Sequence, residues 1–305
     1  MTAAIEMSRH ILIDGERPKT LLIIGNGFDL NMGLKTSYRN FVNSQYCPFG
    51  NNRCVLSRGI GPYLNRKSKE YWFDLEQSLK DYCSKKRIQC KHLQSRVLKD
   101  FDSLIDALRL FLIKAEEGVI RQDSEATRIL HACCDNKNPA DIVSFNYTDL
   151  CLLAKRVGID LCSPPDTIHG TLRDNNIVLG FDETETIPDC LSPLFKSRQK
   201  GYDPKSLTCI SDYPNIIIFG LSINPIDFPH FKKFFFNLFE NGTEGKNIWL
   251  IVHGKNSVNQ NYNSIHNLTK KSIHELKSSS VFKVIDVETE TGKQEIDHIC
   301  KLINP

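Results

Sequence analysis

The chain has 305 residues and a net charge of +3, and 40% of its residues are hydrophobic while 25% are charged. This composition is typical of a globular protein with a large core. The mixed charges argue against nucleic acid as the main partner, and no apolar run approaches the roughly 20 residues of a membrane helix, so we expect no membrane contact.

The eleven cysteines are scattered and contain no Cys-x-x-Cys pair. We therefore expect reduced thiols in a cytoplasmic protein, with no bound metal. A zinc site built from Cys47, Cys54, Cys83 and Cys90 is the alternative, although the seven-residue spacing within each pair fits no common zinc motif.

The first strong element follows a polar lead-in over residues 1–19. Four apolar residues, 21–24, run directly into Gly25, Asn26 and Gly27. An apolar run that ends in a turn signal predicts a buried strand, and glycines allow a tight turn and the close approach of another group. If a helix follows, its first N–H groups can bind a phosphate or pyrophosphate; a plain strand–helix turn is the alternative.

A helical region follows this strand. Residues 36–42 can begin a second helix, and residues 44–66 have the composition of a long loop. From residue 69 to 132, apolar residues recur at helical spacing and predict amphipathic helices packed in a core. These apolar residues are Trp72, Leu75, Leu79, Tyr82, Val97, Phe101, Leu104, Ile105, Leu108 and Leu112. We interpret the stretch as a helical insertion.

The strand pattern returns after residue 140. Apolar runs predict further strands at 141–145, 177–180, 215–220, 248–252 and 281–285, with helices at 150–157, around 231–239, between the last two strands and at the end. Buried strands that alternate with helices predict an α/β fold with a Rossmann-like parallel sheet. We expect a single domain over residues 20–305, interrupted by the insertion.

Ligands of parallel sheets bind outside the carboxyl ends of the strands. Polar or glycine residues follow several predicted strands there: Asn146, the Gly220-x-Ser222 pair, and His169 in a loop that leads to a predicted strand. Each has an ordinary alternative role, such as a capping asparagine, a helix-capping serine or a loop histidine bonded to a carbonyl. Their convergence on one edge nevertheless indicates a binding site.

Five segments resemble a known family: GNGFDLNMGLKTSYRNF, WFDLEQSL, SFNYTDL, IHG and IIIFGLSINPIDFPHFKKFF. In this order they resemble the AbiH-type bacteriophage abortive-infection proteins, and the order is also similar to that of the sirtuin-like NAD-binding superfamily. The resemblance implies a sirtuin-like fold and an antiphage protein that hydrolyses NAD⁺ to nicotinamide and ADP-ribose. Because the four-cysteine zinc ribbon of sirtuin deacylases is missing, it favours an NAD⁺ glycohydrolase over a deacylase.

The resemblance also assigns roles to residues. Asn146 would orient the ribose or a water, and His169, with a near-neutral pKa, would be the base. The ligand-binding set would comprise Gly25, Asn26, Gly27, Phe28, Asp29, Gly220, Ser222 and Asp227. We also expect a homo-oligomer and a phage-derived or operon-encoded activator.

One position departs from the family pattern, because AbiH-type proteins usually carry histidine where this chain has Leu221. This departure keeps a second function open, in which the protein binds NAD⁺ or ADP-ribose as a sensor and has no catalytic activity.

Overall fold

The computed structural model describes the following residues of the chain: 19–48, 55–57, 75–85, 88, 90–134, 139–183, 187–203, 207, 210–223, 227–241, 245–272, 275 and 282–304. The lead-in before Lys19, most of the predicted loop 44–66, and Trp72 lie outside these ranges. Within the predicted loop, Val55 and Leu56 are described and lie buried in a helical turn.

Within the described residues, six strands form one parallel sheet in the order β3-β2-β1-β4-β5-β6. The strands are β1 (Thr20–Ile24), β2 (Asp141–Ser144), β3 (Asp166–Thr167), β4 (Asn215–Phe219), β5 (Asn247–Val252) and β6 (Phe282–Asp286). The predicted α/β fold with a Rossmann-like parallel sheet is confirmed. The order reverses at β1, which pairs with β2 on one side and β4 on the other, so the carboxyl end of β1 is a topological switch point.

The described helices surround this sheet. They are α1 (Asn26–Asn31), α2 (Tyr38–Val42), α3 (Leu75–Cys83), α4 (Lys91–Glu116), α5 (Glu125–Cys134), α6 (Leu150–Arg156), α7 (Phe228–Asn241), α8 (Lys255–Thr269) and α9 (Glu290–Ile303). Short 3₁₀ turns lie at Asp189–Leu194, Lys196–Arg198 and Ile210–Asp212. Within the described ranges, no helix combines the length and apolarity that crossing a bilayer requires.

Both faces of the sheet are covered, which is why its central strands are apolar throughout. Side chains alternate along β1: Leu22 and Ile24 pack with α1, α5, α6 and α9, whereas Leu21 and Ile23 pack with α7 and α8. Helices α3 and α4 form a separate core with α2 and with residues of 177–181 and 187–195. The stretch 69–132 therefore divides between two cores, since α5 packs on the sheet and against α9.

One predicted strand is wrong. Residues 177–180 are buried but join no ladder, and the strand beside β2 is the two-residue β3 instead. The reason is that side chains satisfy this backbone: the amide of Leu179 donates to Gln199 Oε1 at 3.2 Å and the amide of Gly180 donates to Glu76 Oε1 at 3.2 Å. Consequently His169 follows a strand directly instead of leading to one.

Candidate functional site

The carboxyl ends of β1 and β4 touch through their glycines. A Cβ on Gly25 would lie 2.6 Å from the Cα of Leu221, and one on Gly220 would lie 2.3 Å from the amide nitrogen of Phe28. Gly220 also has φ +66°, which favours glycine. These glycines were predicted to let a ligand approach closely. In the structure they instead let the backbone after β1 and the backbone after β4 approach each other.

This contact engages the amides of Gly25 and Gly27, two of the three residues that the sequence suggested for a pyrophosphate. Gly25 donates to the carbonyl of Phe219 at 2.9 Å, Gly27 to the carbonyl of Gly220 at 2.8 Å, and Phe28 to the carbonyl of Gly25 at 2.8 Å. A phosphate at this turn would need donors other than these three amides. Phe28 itself is fully buried, with its ring edge-on to that of Phe219 at 5.3 Å between centroids.

A cavity of about 420 Å³ opens at this edge of the sheet. The predicted site residues that line it are Asn26, Asp29, Asn146, His169, Gly220, Ser222 and Asp227. The other lining residues come from the α1–α2 region (Leu30, Thr36, Ser37, Tyr38, Arg39), α3 and α4 (Glu76, Leu108, Leu112), strand exits (Phe145, Tyr147, Thr148, Leu221) and α8 (Asn256, Ser257, Gln260). Gly25, Gly27 and Phe28 are not among the lining residues and belong to the backbone turn that carries Asn26 and Asp29.

Asp29 is the buried acid of the cavity wall and is only 1% exposed. Nδ2 of Asn146 donates to Asp29 Oδ1 at 2.8 Å and to the carbonyl of Gly25 at 3.1 Å, and Thr148 Oγ1 donates to Asp29 Oδ2 at 2.8 Å. Burial raises the pKa of Asp29 to about 7, against the opposing effect of these hydrogen bonds. A carboxyl group that is half ionised near neutral pH therefore faces the cavity.

The side chain of Asn146 has one polar atom, Oδ1, with which it can bind a ligand. Both hydrogens of its Nδ2 are donated to protein oxygens, so Oδ1 is the atom that can accept a hydrogen bond from a bound hydroxyl or water. The side chain comes from the end of β2 and is 5% exposed. Its orientation is set by the exit of β1 beside it.

His169 lies two residues after β3 and packs edge-on against Phe145, with 5.5 Å between ring centroids. Its Nε2 lies 3.3 Å from Nζ of Lys196 and 3.9 Å from Oδ1 of Asp227. Burial, the Lys196 ammonium and His230 together hold the pKa of His169 well below its usual range. The near-neutral pKa expected from the sequence is therefore wrong, and the ring is neutral at physiological pH.

His230 joins this histidine, which the sequence did not indicate. Asp227 directly precedes α7 and His230 lies in its first turn, which brings the two side chains together. Nε2 of His230 is 3.4 Å from the hydroxyl of Tyr202. One ligand atom each from His169, Asp227 and His230 lies within 4.8 Å of the others. These donor types suit a divalent transition metal, but the ammonium of Lys196 already lies against His169.

The opposite wall comes from polar residues of α8. Nε2 of Gln260 donates to Oγ of Ser222 at 3.3 Å, and Asn256 and Ser257 lie beside them at the start of α8. No local pattern indicated this wall, because α8 is a polar helix without a recognisable motif. Of the four cysteines considered as a zinc site, Cys54 lies outside the described residues, and burial raises the pKa of Cys83 to about 12.

Comparison with known families adds one match. The family model for bacteriophage abortive infection AbiH matches residues 21–253, a range that contains every residue predicted for the site. A comparison with curated proteins finds no match.

Proposed function

Because this chain belongs to the AbiH family of bacteriophage abortive infection proteins, we propose that it acts by hydrolysing NAD⁺ at the nicotinamide–ribose bond. The observation that carries the proposal is the cavity at the switch point of the sheet. It brings together an acid with a pKa near 7, a fixed asparagine and a neutral histidine. Its volume of about 420 Å³ falls in the range of roughly 300–1,000 Å³ that is usual for small-molecule sites. We further propose that the sheet is of the sirtuin-like kind.

The chemistry of this reaction fits these groups. Breaking the bond to nicotinamide develops positive charge on the ribose, as in glycoside hydrolysis, and nicotinamide leaves NAD⁺ as a neutral molecule. A buried carboxylate at Asp29 stabilises that developing charge. Oδ1 of Asn146 accepts a hydrogen bond from a ribose hydroxyl or from the attacking water. The neutral imidazole of His169 accepts at Nε2 the proton that water loses, which requires the Lys196 ammonium to turn from His169 toward Glu76.

The phosphates need a different place from the one that the sequence suggested. With the amides of Gly25, Gly27 and Phe28 engaged, the lining residues Ser222, Gln260 and Arg39 are the donors that we assign to the pyrophosphate. In this arrangement Asn26 and Asp227 contact the ribose region rather than the phosphates.

Two observations favour a second candidate, a sensor that binds NAD⁺ or ADP-ribose without turnover. Leu221 lines the cavity where family members usually carry histidine, and the lowered pKa of His169 weakens it as a base. A sensor would bind the nucleotide saturably and release no nicotinamide.

The test is incubation of the purified protein with NAD⁺, with nicotinamide and ADP-ribose measured by chromatography. We expect Asn146→Ala and His169→Ala to reduce turnover by at least 10²-fold. Asn267→Ala and His298→Ala are the matched controls, since both side chains are exposed on helices away from the cavity lining. Unfolding midpoints of all four variants separate loss of chemistry from loss of fold.

The result that overturns the active site is normal turnover in both cavity variants. If the wild-type protein releases no nicotinamide, calorimetric titration with NAD⁺ and ADP-ribose decides between the two functions. Saturable binding that Ser222→Ala weakens supports the sensor, and no binding of either nucleotide refutes both.

A further inference from the structure

Lys196 is a buried charged residue to which the proposed reaction assigns no role. It lies in the 3₁₀ turn Lys196–Arg198, and its side chain is only 1% exposed. Nζ lies 3.1 Å from Oε2 of Glu76 on α3 and 3.3 Å from Nε2 of His169. A lysine in such a position brings a positive charge directly to the candidate base.

The donors and acceptors of Lys196 and His169 determine which ring nitrogen of His169 carries the hydrogen. An ammonium group has three donors and no acceptor, so at 3.3 Å the nitrogen of His169 that faces it accepts. In a neutral imidazole the other nitrogen, Nδ1, then carries the hydrogen. The carboxylate of Glu76 keeps Lys196 charged: burial lowers the pKa of Lys196, but Glu76 and Asp227 outweigh burial and raise it overall.

We propose that Lys196 is a positioning residue that serves as the resident cation of the His169–Asp227–His230 group and holds His169 as the Nδ1-protonated tautomer. The consequence for catalysis rests on the proposed function, whereas the tautomer itself does not. In this arrangement Lys196 prevents His169 from taking up a proton from bulk solvent.

The alternative occupant of this group is a divalent metal ion. Two imidazoles and a carboxylate would suit one, but a metal bonded to Nε2 of His169 would displace the hydrogen bond from Lys196 and lie next to its positive charge. Lys196 already contacts one of the three ligand residues and interacts electrostatically with a second, Asp227. A metal ion on Nε2 of His169 and the hydrogen bond from Lys196 to that atom therefore exclude each other.

The groups that face this pair come from several elements. Glu76 reaches it from α3, Asp227 and His230 from the start of α7, and Tyr202 stacks on His169 with 6.2 Å between ring centroids. Burial raises the pKa of Tyr202 to about 12, so its hydroxyl stays protonated. Asp182 also acts on Lys196 through its charge. Among these groups Lys196 is the one that opposes protonation of His169 with a permanent positive charge.

The test is nitrogen-15 NMR of histidine-labelled full-length protein, in which the two ring nitrogens report the tautomer. His169 is assigned from the signal that is lost in His169→Gln. We expect the wild-type ring to be protonated on Nδ1 and to stay neutral through mildly acidic pH. In Lys196→Met we expect a mixture of tautomers and a higher pKa, and in the control Lys200→Met, an exposed change in the same segment, we expect the wild-type pattern.

Two NMR outcomes overturn the proposal: a wild-type ring protonated on Nε2, or an unchanged tautomer and pKa in Lys196→Met. If Lys196→Met does not fold, the tautomer of the wild-type ring decides alone. Elemental analysis of the purified protein is the second arm. Stoichiometric zinc or another divalent metal, lost in His230→Ala, would also overturn the proposal.

The activity arm separates this inference from the proposed function. If NAD⁺ is hydrolysed, the acid limb of the pH–rate profile moves to higher pH in Lys196→Met and stays in place in Lys200→Met. If NAD⁺ is not hydrolysed, the proposed function fails while the NMR and metal results still decide the role of Lys196.

Discussion

The contact between the exits of β1 and β4 makes Gly220→Ala a strongly destabilising change. Gly220 has φ +66°, and an added Cβ would lie 2.3 Å from the amide nitrogen of Phe28 and 2.4 Å from the carbonyl carbon of Gly27. Both of these atoms belong to backbone that the sheet and α1 hold in place, so neither can move away cheaply.

The magnitude follows from two separable effects. A left-handed conformation costs an L-residue about 1–2 kcal/mol, and overpacking in a well-packed region costs about 1–3 kcal/mol. Gly220→Ala should therefore lower the free energy of unfolding by about 2–5 kcal/mol. Gly158→Ala isolates the first effect, because Gly158 has φ +82° and nothing within 4 Å of an added Cβ. Gly25→Ala isolates the second, because its φ is −123°.

The assay is equilibrium unfolding in urea of the wild type and the three variants. We expect losses of about 1–2 kcal/mol for Gly158→Ala, about 1–3 kcal/mol for Gly25→Ala, and about the sum of these for Gly220→Ala. Equal losses for Gly220→Ala and Gly158→Ala would show that the two strand exits are not in backbone contact, and would refute a steric role for Gly220.

Three further outcomes are expected. Asp29 has a pKa of about 7 against an ordinary 3.8, so folding retains a proton that the unfolded chain loses. Its stabilising contribution is complete below pH 3.8 and disappears by pH 7, and the free energy of unfolding should fall by about 4 kcal/mol relative to Asp29→Asn over this range. Asp149 accepts hydrogen bonds from two amides at the start of α6, so Asp149→Ala should cost about 1 kcal/mol in urea unfolding. Under the proposed function, Ser222→Ala should raise KM for NAD⁺ several-fold without changing the unfolding midpoint, since the hydrogen bond that its hydroxyl accepts from Gln260 is exposed to solvent.

The sheet was predictable because its strands carry the signal themselves. The apolar runs at β1, β4 and β5 are too short for helices and end in turn residues, and burial on both faces keeps them apolar. The run at 177–180 has the same composition and burial, yet side chains of Glu76 and Gln199 take the place of a neighbouring strand. Composition cannot distinguish these two ways of satisfying a backbone.

The same limit applies to the site. Asn146 and His169 were found because they follow strands whose ends meet at one edge, a consequence of parallel topology. Lys196 and His230 belong to a 3₁₀ turn and to an aromatic helix, and nothing in their local sequence shows that they converge on His169. Long-range pairing of a buried charge depends on tertiary packing, which spacing along the chain does not record.

Glu76 holds α3 against the rest of the protein with two different bonds, one to the Lys196 ammonium and one to the amide of Gly180. Moving α3 outward would separate the buried ammonium of Lys196 from the carboxylate of Glu76, at a cost of about 3–5 kcal/mol. Such an open form would make up about one molecule in a hundred to one in a few thousand. Openings of α3 are therefore rare, and hydrogen exchange at the Gly180 amide measures how often they occur.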